Sequence, residues 1–266
     1  MNLLRAWISG IPAYLWSGWG AIASLFLLLA AWEGVAAVYG ALILPDPAAA
    51  FGRLAELFAS GAAWPELATT ARRASAGLAL AILAGSLLGL AAGVSLTASM
   101  MARPIVTVLL GTPPIAWLVL AMLWFGAGDG TPVFTVFIAC FPVIFIGALQ
   151  GARTLDHQLK DMAAAFRLPP RMKLFDLYLP HVVSYLFPAW ITALGTSWKV
   201  VVMAELLSSS DGVGAALAVS RSHLDMEAAL AWIAAVVLTL LAVEYLLLEP
   251  VKREVERWRD LDREHA

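Results

Sequence analysis

The sequence is poor in charge and in cysteine, and both shortages narrow the classes of protein to which it can belong. Only 14% of its 266 residues are charged, whereas 61% are apolar and the mean hydropathy is +0.83. Several apolar runs are about twenty residues long, the length of helix that crosses roughly 30 Å of hydrocarbon. The lone cysteine, Cys140, lies in one of these runs and excludes an intrachain disulfide. The composition therefore predicts an all-α integral membrane protein.

The motifs of common catalytic sites are also missing. No lysine follows glycine and precedes Ser or Thr, so the sequence has no phosphate loop of the Gly-Lys-Ser/Thr type. The four histidines lack metal-ligand spacing, and no Gly-x-Ser-x-Gly element occurs. We therefore predict no catalytic residue, no metal site and no cofactor in this chain, and no nucleic-acid partner.

Six apolar segments are predicted to span the bilayer within a single transmembrane domain. They cover about 20–42, 74–96, the stretch from a tight turn at Arg103-Pro104 to Phe125, 131–149, 182–207 and 227–248. The predicted order is an interfacial lead-in (1–19), spans 1–4 (20–150), a polar loop (151–181), spans 5–6 (182–248) and a charged tail (249–266). Short amphipathic helices at the surface are expected between the first two spans, to about Thr70.

Two spans carry features that predict how they pack. Small residues recur every four positions in the second span, which lets helix backbones approach closely; they are Gly77, Ala81, Gly85, Gly89 and Gly93. Tight packing within the bundle is favoured over a ligand groove. The third span is interrupted at Gly111-Thr-Pro-Pro114, and such a break at membrane depth needs protein or a cavity around it.

The distribution of Lys and Arg predicts the orientation. With the polar loop inside, twelve basic residues lie on the inner side and four on the outer side, namely Arg53, Arg72, Arg73 and Arg221. Cytoplasmic segments carry the excess of Lys and Arg in membrane proteins. We therefore expect both termini and the polar loop to be cytoplasmic.

The polar loop is predicted to form a helix–turn–helix. Five of the chain's seventeen Lys and Arg residues lie in it, and two short helical patterns flank Pro169-Pro170. Proline ends the preceding helix and suits the first turn of the next one.

The polar loop resembles the cytoplasmic signature E-A-A-x3-G-x9-I-x-L-P of permease subunits of binding-protein-dependent ABC importers. The matching residues, at positions 1, 3, 17, 19 and 20 of that signature, are Asp161, Ala163, Leu177, Leu179 and Pro180. Asp161 replaces the glutamate, Met162 the first alanine and Arg167 the glycine. Because a glycine there permits a sharp turn, Pro169-Pro170 is expected to supply the break instead.

Two further stretches resemble permeases for nitrate, taurine and alkanesulfonates: Pro113 with Leu123-Trp-Phe-Gly126, and Ala204-Glu205 with Gly212-Val-Gly214. The resemblance implies a type I importer permease in the bacterial cytoplasmic (inner) membrane. It implies a homodimer, two cytoplasmic ATPases that hold ATP and Mg²⁺, and a periplasmic binding protein. The residues expected to contact an ATPase are Asp161, Ala163, Arg167, Pro169, Pro170, Leu177, Leu179 and Pro180.

Buried ionisable residues are the candidates for a translocation path. Lys199 lies inside the fifth span, where it either faces the path and attracts an anion or pairs with Glu33, Glu205 or Glu244. The segment with Gly212 and Gly214 either gates the solute or forms a plain re-entrant turn, with Asp211 expected to cap the helix that follows. Lys199, Glu205, Gly212, Gly214 and Pro113 are therefore the predicted path residues.

An anionic solute is favoured by Lys199 and by the resemblance. The alternative function is an ion-coupled secondary carrier that works without an ATPase; that reading requires a relay of buried carboxylates and an internal repeat, and the sequence contains only isolated glutamates.

Overall fold

The computed structural model describes residues 2–155 and 157–243, and helices make up nearly all of this part of the chain. The helices are α1 (Asn2–Tyr39), α2 (Pro47–Ala59), α3 (Ala63–Gly93), α4 (Leu96–Gly111), α5 (Pro114–Phe125), α6 (Gly130–Arg153), α7 (His157–Ala165), α8 (Pro170–Met172), α9 (Leu179–Ser208), α10 (Val213–Ser222) and α11 (Met226–Val243). A π-helical segment, Lys173–Tyr178, joins α8 to α9.

The apolar helices correspond to the predicted spans. Four of them are long and apolar enough to cross a membrane: Ala63–Gly93, Gly130–Arg153, Phe175–Ser208 and Met226–Val243. The pair α4 and α5 would make a fifth span, bent by 94° at the predicted Gly111–Pro114 break. The first predicted span corresponds to a shorter apolar stretch, Ala23–Tyr39, within α1. The end of the sixth predicted span and the tail 249–266 lie outside the described residues.

The core of the bundle is formed by α3, α6 and α9. Side chains without exposed surface meet there, among them Ala81 of α3, Ile144 of α6 and Val201 of α9. The small residues of α3 lie against α6: a Cβ built at Gly77 would be 2.7 Å from the Val133 carbonyl oxygen and 2.7 Å from the Val136 Cβ. Close packing of this stripe is therefore confirmed.

The helices α6 and α9 run antiparallel, which separates two ends of the bundle. Gly151 near the end of α6 faces Val182 near the start of α9, while the Cys140 thiol lies 3.3 Å from the Ala193 carbonyl oxygen further along. The polar loop therefore lies at one end. The short connections 126–129 and 209–212 lie at the other.

Two predicted boundaries are wrong. The tight turn at Arg103-Pro104 is not there, because Pro104 lies inside α4, which begins at Leu96 after Ser95 caps the Ala98 N–H at 3.3 Å. Membrane helices tolerate an internal proline because neighbouring groups satisfy the freed backbone. The second span begins at Ala63 rather than Ala74, so residues 63–70, expected at the surface, are part of α3.

Candidate functional site

The polar loop forms a helical hairpin whose second arm is continuous with a span. The first arm is α7, and the second runs without a break from Pro170 through the π-helical segment into α9. The predicted helix–turn–helix is present, but its second helix is the beginning of the fifth span rather than a separate element. Movement of this arm would therefore act directly on α9.

The turn of this hairpin uses a left-handed backbone at Arg167, whose φ is +49°. The Leu168 N–H donates to the Ala163 carbonyl at 3.1 Å, and the Arg167 N–H donates to the Ala164 carbonyl at 3.0 Å. This is the pattern with which helices end at a left-handed residue, usually glycine. The expectation that Pro169-Pro170 replaces the glycine is therefore wrong: Arg167 adopts the glycine-like conformation itself, and Pro170 starts the next helix.

The loop residues that match the signature differ in exposure. Asp161, Arg167, Pro169, Leu179 and Pro180 are exposed, and Leu177 is half-buried. Ala163 is buried, so it packs against the chain itself. Pro170 is the first residue of α8.

Large apolar side chains on the hairpin are also exposed. Met162 lies on α7 and is 46% exposed, and Phe166, one turn later and just after the end of α7, is 75% exposed. Phe175 on the second arm is 60% exposed. Exposed apolar side chains in a basic loop, here Met162 and Phe166 outside the spans and Phe175 at the start of one, form the kind of surface that a protein partner covers.

A buried ionic network lies at the opposite end of the bundle, around Arg73 of α3. The Arg73 side chain is 2% exposed, and its guanidinium contacts three carboxylates from three segments. It donates to Asp129 Oδ1 at 2.7 Å, to Glu205 Oε1 at 3.0 Å and to Asp211 Oδ1 at 2.6 Å, and also to the Asp211 carbonyl at 2.8 Å. A single side chain therefore ties α3 to the α5–α6 connection, the end of α9 and the α9–α10 connection.

The same network caps the first turn of α10. The Gly212 N–H donates to Glu66 Oε2 at 2.6 Å, the Val213 N–H to Thr70 Oγ1 at 2.9 Å, and the Gly214 N–H to Glu205 Oε2 at 3.1 Å. Thr70 in turn donates to Glu205 Oε2 at 2.8 Å. These bonds satisfy backbone donors that a helix leaves unpaired at its N-terminus.

The prediction that Asp211 caps α10 is wrong. The residue that precedes α10 is Gly212, whose φ is +93°, and it makes no side-chain cap. The Asp211 carboxylate is occupied by Arg73, and side chains from α3 and α9 replace it as caps. Glycine is needed at position 212 both for this backbone and for space, because a Cβ there would be 2.5 Å from the Glu205 carboxylate.

The network contains more carboxylates than arginines, and a helix N-terminus lies beside two of the carboxylates. Glu66, Asp129, Glu205 and Asp211 face two arginines, with Arg72 bonded to Asp129 Oδ2 at 2.7 Å. The N-terminus of α10 adds partial positive charge beside two of these carboxylates. Hydrogen bonding from Arg73 lowers the pKa of Asp129 below its ordinary value of 3.8, so this carboxylate stays ionised at neutral pH.

The predicted path residues fall in different places. Lys199 is exposed on α9, and it has no ion-pair partner among residues 2–155 and 157–243. Of the partners predicted for it, Glu33 is exposed on α1, and Glu244 lies outside the described residues. Glu205, Gly212 and Gly214 belong to the Arg73 network, where Glu205 has no exposed surface. Pro113 is exposed at the bend between α4 and α5.

Arg73, Thr70 and Glu66 are functional candidates that the sequence prediction missed. A signal was present, because residues 66, 70 and 73 follow the i, i+4, i+7 spacing of one helix face. The prediction missed these residues because it began the second span at Ala74. The polar stripe then lay before the helix, and Arg73 was counted in an outer segment.

Comparison with known proteins points to one family. Residues 62–249 match the family described as binding-protein-dependent transport system inner membrane component. The chain is 27% identical over 244 residues to the taurine transport system permease protein of Escherichia coli K12, covering 89% of this chain and 88% of that protein. It is 30% identical over 149 residues to the nitrate import permease protein of Leptolyngbya laminosa, covering 56% of this chain and 53% of that protein. It is 27% identical over 190 residues to an aliphatic sulfonates transport permease protein of Bacillus subtilis 168, covering 71% and 69%.

Proposed function

The chain belongs to the binding-protein-dependent transport system inner membrane component family, and from that premise we propose that it passes a small solute with an anionic group, such as nitrate, taurine or an alkanesulfonate, into the cytoplasm. As a member of this family it is a multi-pass permease of the inner membrane with a type I importer fold and is not itself catalytic. The observation that carries the proposal is the exposed hairpin of the polar loop, which continues into α9.

The proposed assembly has two copies of this chain, two cytoplasmic ATPase subunits that bind ATP and Mg²⁺, and a periplasmic binding protein. The polar loop is proposed to be cytoplasmic, with Met162, Phe166 and Phe175 covered by the ATPase and Asp161 beside them. Closure of the ATPase pair on ATP would draw the two hairpins together. Because the second arm and α9 form one helix, that movement would tilt α9 and shift the permease towards its outward-open state.

The proposed solute path follows the uncovered face of α9. Pro188, Thr192 and Lys199 are exposed and lie close to the i, i+4, i+11 positions of one helix face, and a Cβ built at Gly195 would meet no atom within 4 Å. Lys199 lies nine residues before the end of α9, which is roughly 13 Å along the helix. A cation at this depth on an open face of small and polar residues is suited to attract an anion.

An ATPase-coupling test of this proposal uses Asp161→Arg. The full transporter, reconstituted with its ATPase and binding protein, should lose solute uptake and the ATPase stimulation that the loaded binding protein produces, because the charge at the contact is reversed. Arg171→Gln, an exposed change on the second arm, serves as the control for a general charge effect. Uptake and ATPase stimulation that survive Asp161→Arg unchanged would refute the assigned contact, and failure to co-purify with an ATP-hydrolysing subunit would refute the function.

A further inference from the structure

A groove between α4 and α6 opens at the same end of the bundle as the polar loop. Its volume is about 530 Å³, and most of its lining is apolar, with Met100 and Leu110 on α4 and Phe145 and Leu149 on α6. Met100 and Leu110 are 69% and 51% exposed, so nothing within the described chain fills the groove.

Two arginines line this groove, Arg153 at its polar-loop end and Arg103 midway along α4. Arg153, in the last turn of α6, donates from Nη1 to Ser99 Oγ at 2.8 Å. Arg103 lies one turn beyond Ser99 on α4, so its side chain projects from the same face of that helix. Ser99 is 8% exposed and forms the polar floor between them.

Among residues 2–155 and 157–243, neither arginine has an acidic partner. Neither α4 nor α6 contains an Asp or a Glu. Positive charge beside an apolar groove therefore favours an anion that also carries an apolar part.

We propose that this groove binds one anionic phospholipid, with the phosphate held by Arg103, Arg153 and the Ser99 hydroxyl and an acyl chain lying between α4 and α6. Basic pockets between membrane helices on the cytoplasmic side bind anionic headgroups in this way. Arg103 lies about 6 Å further along α4 than Ser99, and its long side chain can reach back to the headgroup level. The site is separate from the α9 face proposed for the solute.

The test is native mass spectrometry of the purified full-length chain in detergent, titrated with phosphatidylglycerol, phosphatidylcholine or inorganic phosphate. We expect one phosphatidylglycerol to remain bound under conditions that remove phosphatidylcholine, and we expect no adduct with inorganic phosphate. Arg103→Gln with Arg153→Gln should weaken phosphatidylglycerol binding about thirtyfold, the effect of removing two cations from an anionic headgroup.

Two matched variants locate the site. Arg171→Gln with Lys173→Gln removes the same charge from the same end of the protein but outside the groove, and should leave binding unchanged. Met100→Trp fills the groove and keeps both arginines, and should displace the lipid. This second variant keeps the test decisive if the double arginine variant does not fold.

Three results would overturn the proposal. Unchanged binding by Met100→Trp would show that the lipid does not occupy the groove, and equal loss with Arg171→Gln and Lys173→Gln would show a general charge effect. A change in the number of chains per assembly without a lipid adduct would identify the groove as a contact between two copies of the chain. The first two results concern lipid binding and the third concerns the number of chains, so all three are distinguishable from failure of the uptake test above.

Discussion

The guanidinium group of Arg73 is buried among carboxylates from three segments, so its removal leaves negative charge without a partner. We expect Arg73→Met to lower the free energy of unfolding in detergent micelles by about 3–5 kcal/mol, the range found when one partner of a buried ion pair is removed. Arg72→Met is the control, because the Arg72 side chain is 63% exposed and, among the residues that the structure describes, forms an ion pair only with the half-exposed Asp129. Such a surface pair contributes about 0–1 kcal/mol. Equal effects of the two substitutions would contradict the central role of Arg73.

Lys199 is the residue on which the proposed anion path depends. Lys199→Met should reduce anion uptake by about tenfold while expression and folding stay normal, because electrostatic attraction raises the local concentration of a charged solute by such factors. Lys199→Arg keeps the charge and should retain most of the uptake. Full transport by Lys199→Met at normal expression would remove Lys199 from the path.

The turn of the polar-loop hairpin places a left-handed residue at Arg167, where a side chain is unfavourable. Arg167→Gly should therefore stabilise the folded chain by about 1 kcal/mol, since glycine adopts this backbone without the steric cost that other residues have. Arg171→Gly, in the helical second arm, should instead lower the free energy of unfolding by about 1 kcal/mol, because glycine disfavours a helix. The measurement is unfolding of both variants in the same detergent, and a destabilising effect of Arg167→Gly would contradict the left-handed turn.

Packing of α3 on α6 depends on the absence of a side chain at Gly77. Gly77→Ala should lower the free energy of unfolding by about 1–3 kcal/mol, because the new methyl group would overlap the Val133 backbone and the Val136 side chain. Gly195→Ala in α9 is the matched control and should stabilise the chain by about 0.5–1 kcal/mol, because alanine favours a helix more than glycine does and no atom lies within 4 Å of its Cβ position. A neutral result for Gly77→Ala would mean that α3 and α6 are further apart than described.

Helix order, the break at Gly111–Pro114 and the glycine stripe of α3 could be predicted from the sequence because hydropathy and spacing report directly on burial. The network around Arg73 could not be predicted in the same way. Prediction from hydropathy places a charged residue outside a span. Arg73 is nevertheless buried in α3, because carboxylates from distant parts of the chain, Asp129, Glu205 and Asp211, bind its guanidinium group. The turn expected at Pro104 failed for a similar reason, since a membrane helix can keep a proline that a soluble helix would not.

At the scale of the whole molecule, two ends of the bundle differ in their chemistry. One end presents the exposed hairpin of the polar loop, and the other holds the Arg73 network, which fixes the connections 126–129 and 209–212 to α3. The ends are separated by the length of α6, 24 residues or about 36 Å. The close contacts of α3 with α6 and of α6 with α9 make the core between them stiff, so motion of the hairpin is expected to reach the far end as movement of whole helices.

The proposed orientation can be tested with cysteine labelling, because the chain has a single cysteine and Cys140 is buried in the core. Ala165→Cys places a thiol at the end of α7 and Ser222→Cys places one at the end of α10, both at exposed positions. In intact spheroplasts, a membrane-impermeant maleimide should label Ser222→Cys and leave Ala165→Cys unreacted until the membrane is permeabilised. The unsubstituted chain should stay unlabelled in both conditions. The reverse pattern would place the hairpin outside the cell, where no cytoplasmic ATPase could contact it, and the proposed coupling would be wrong.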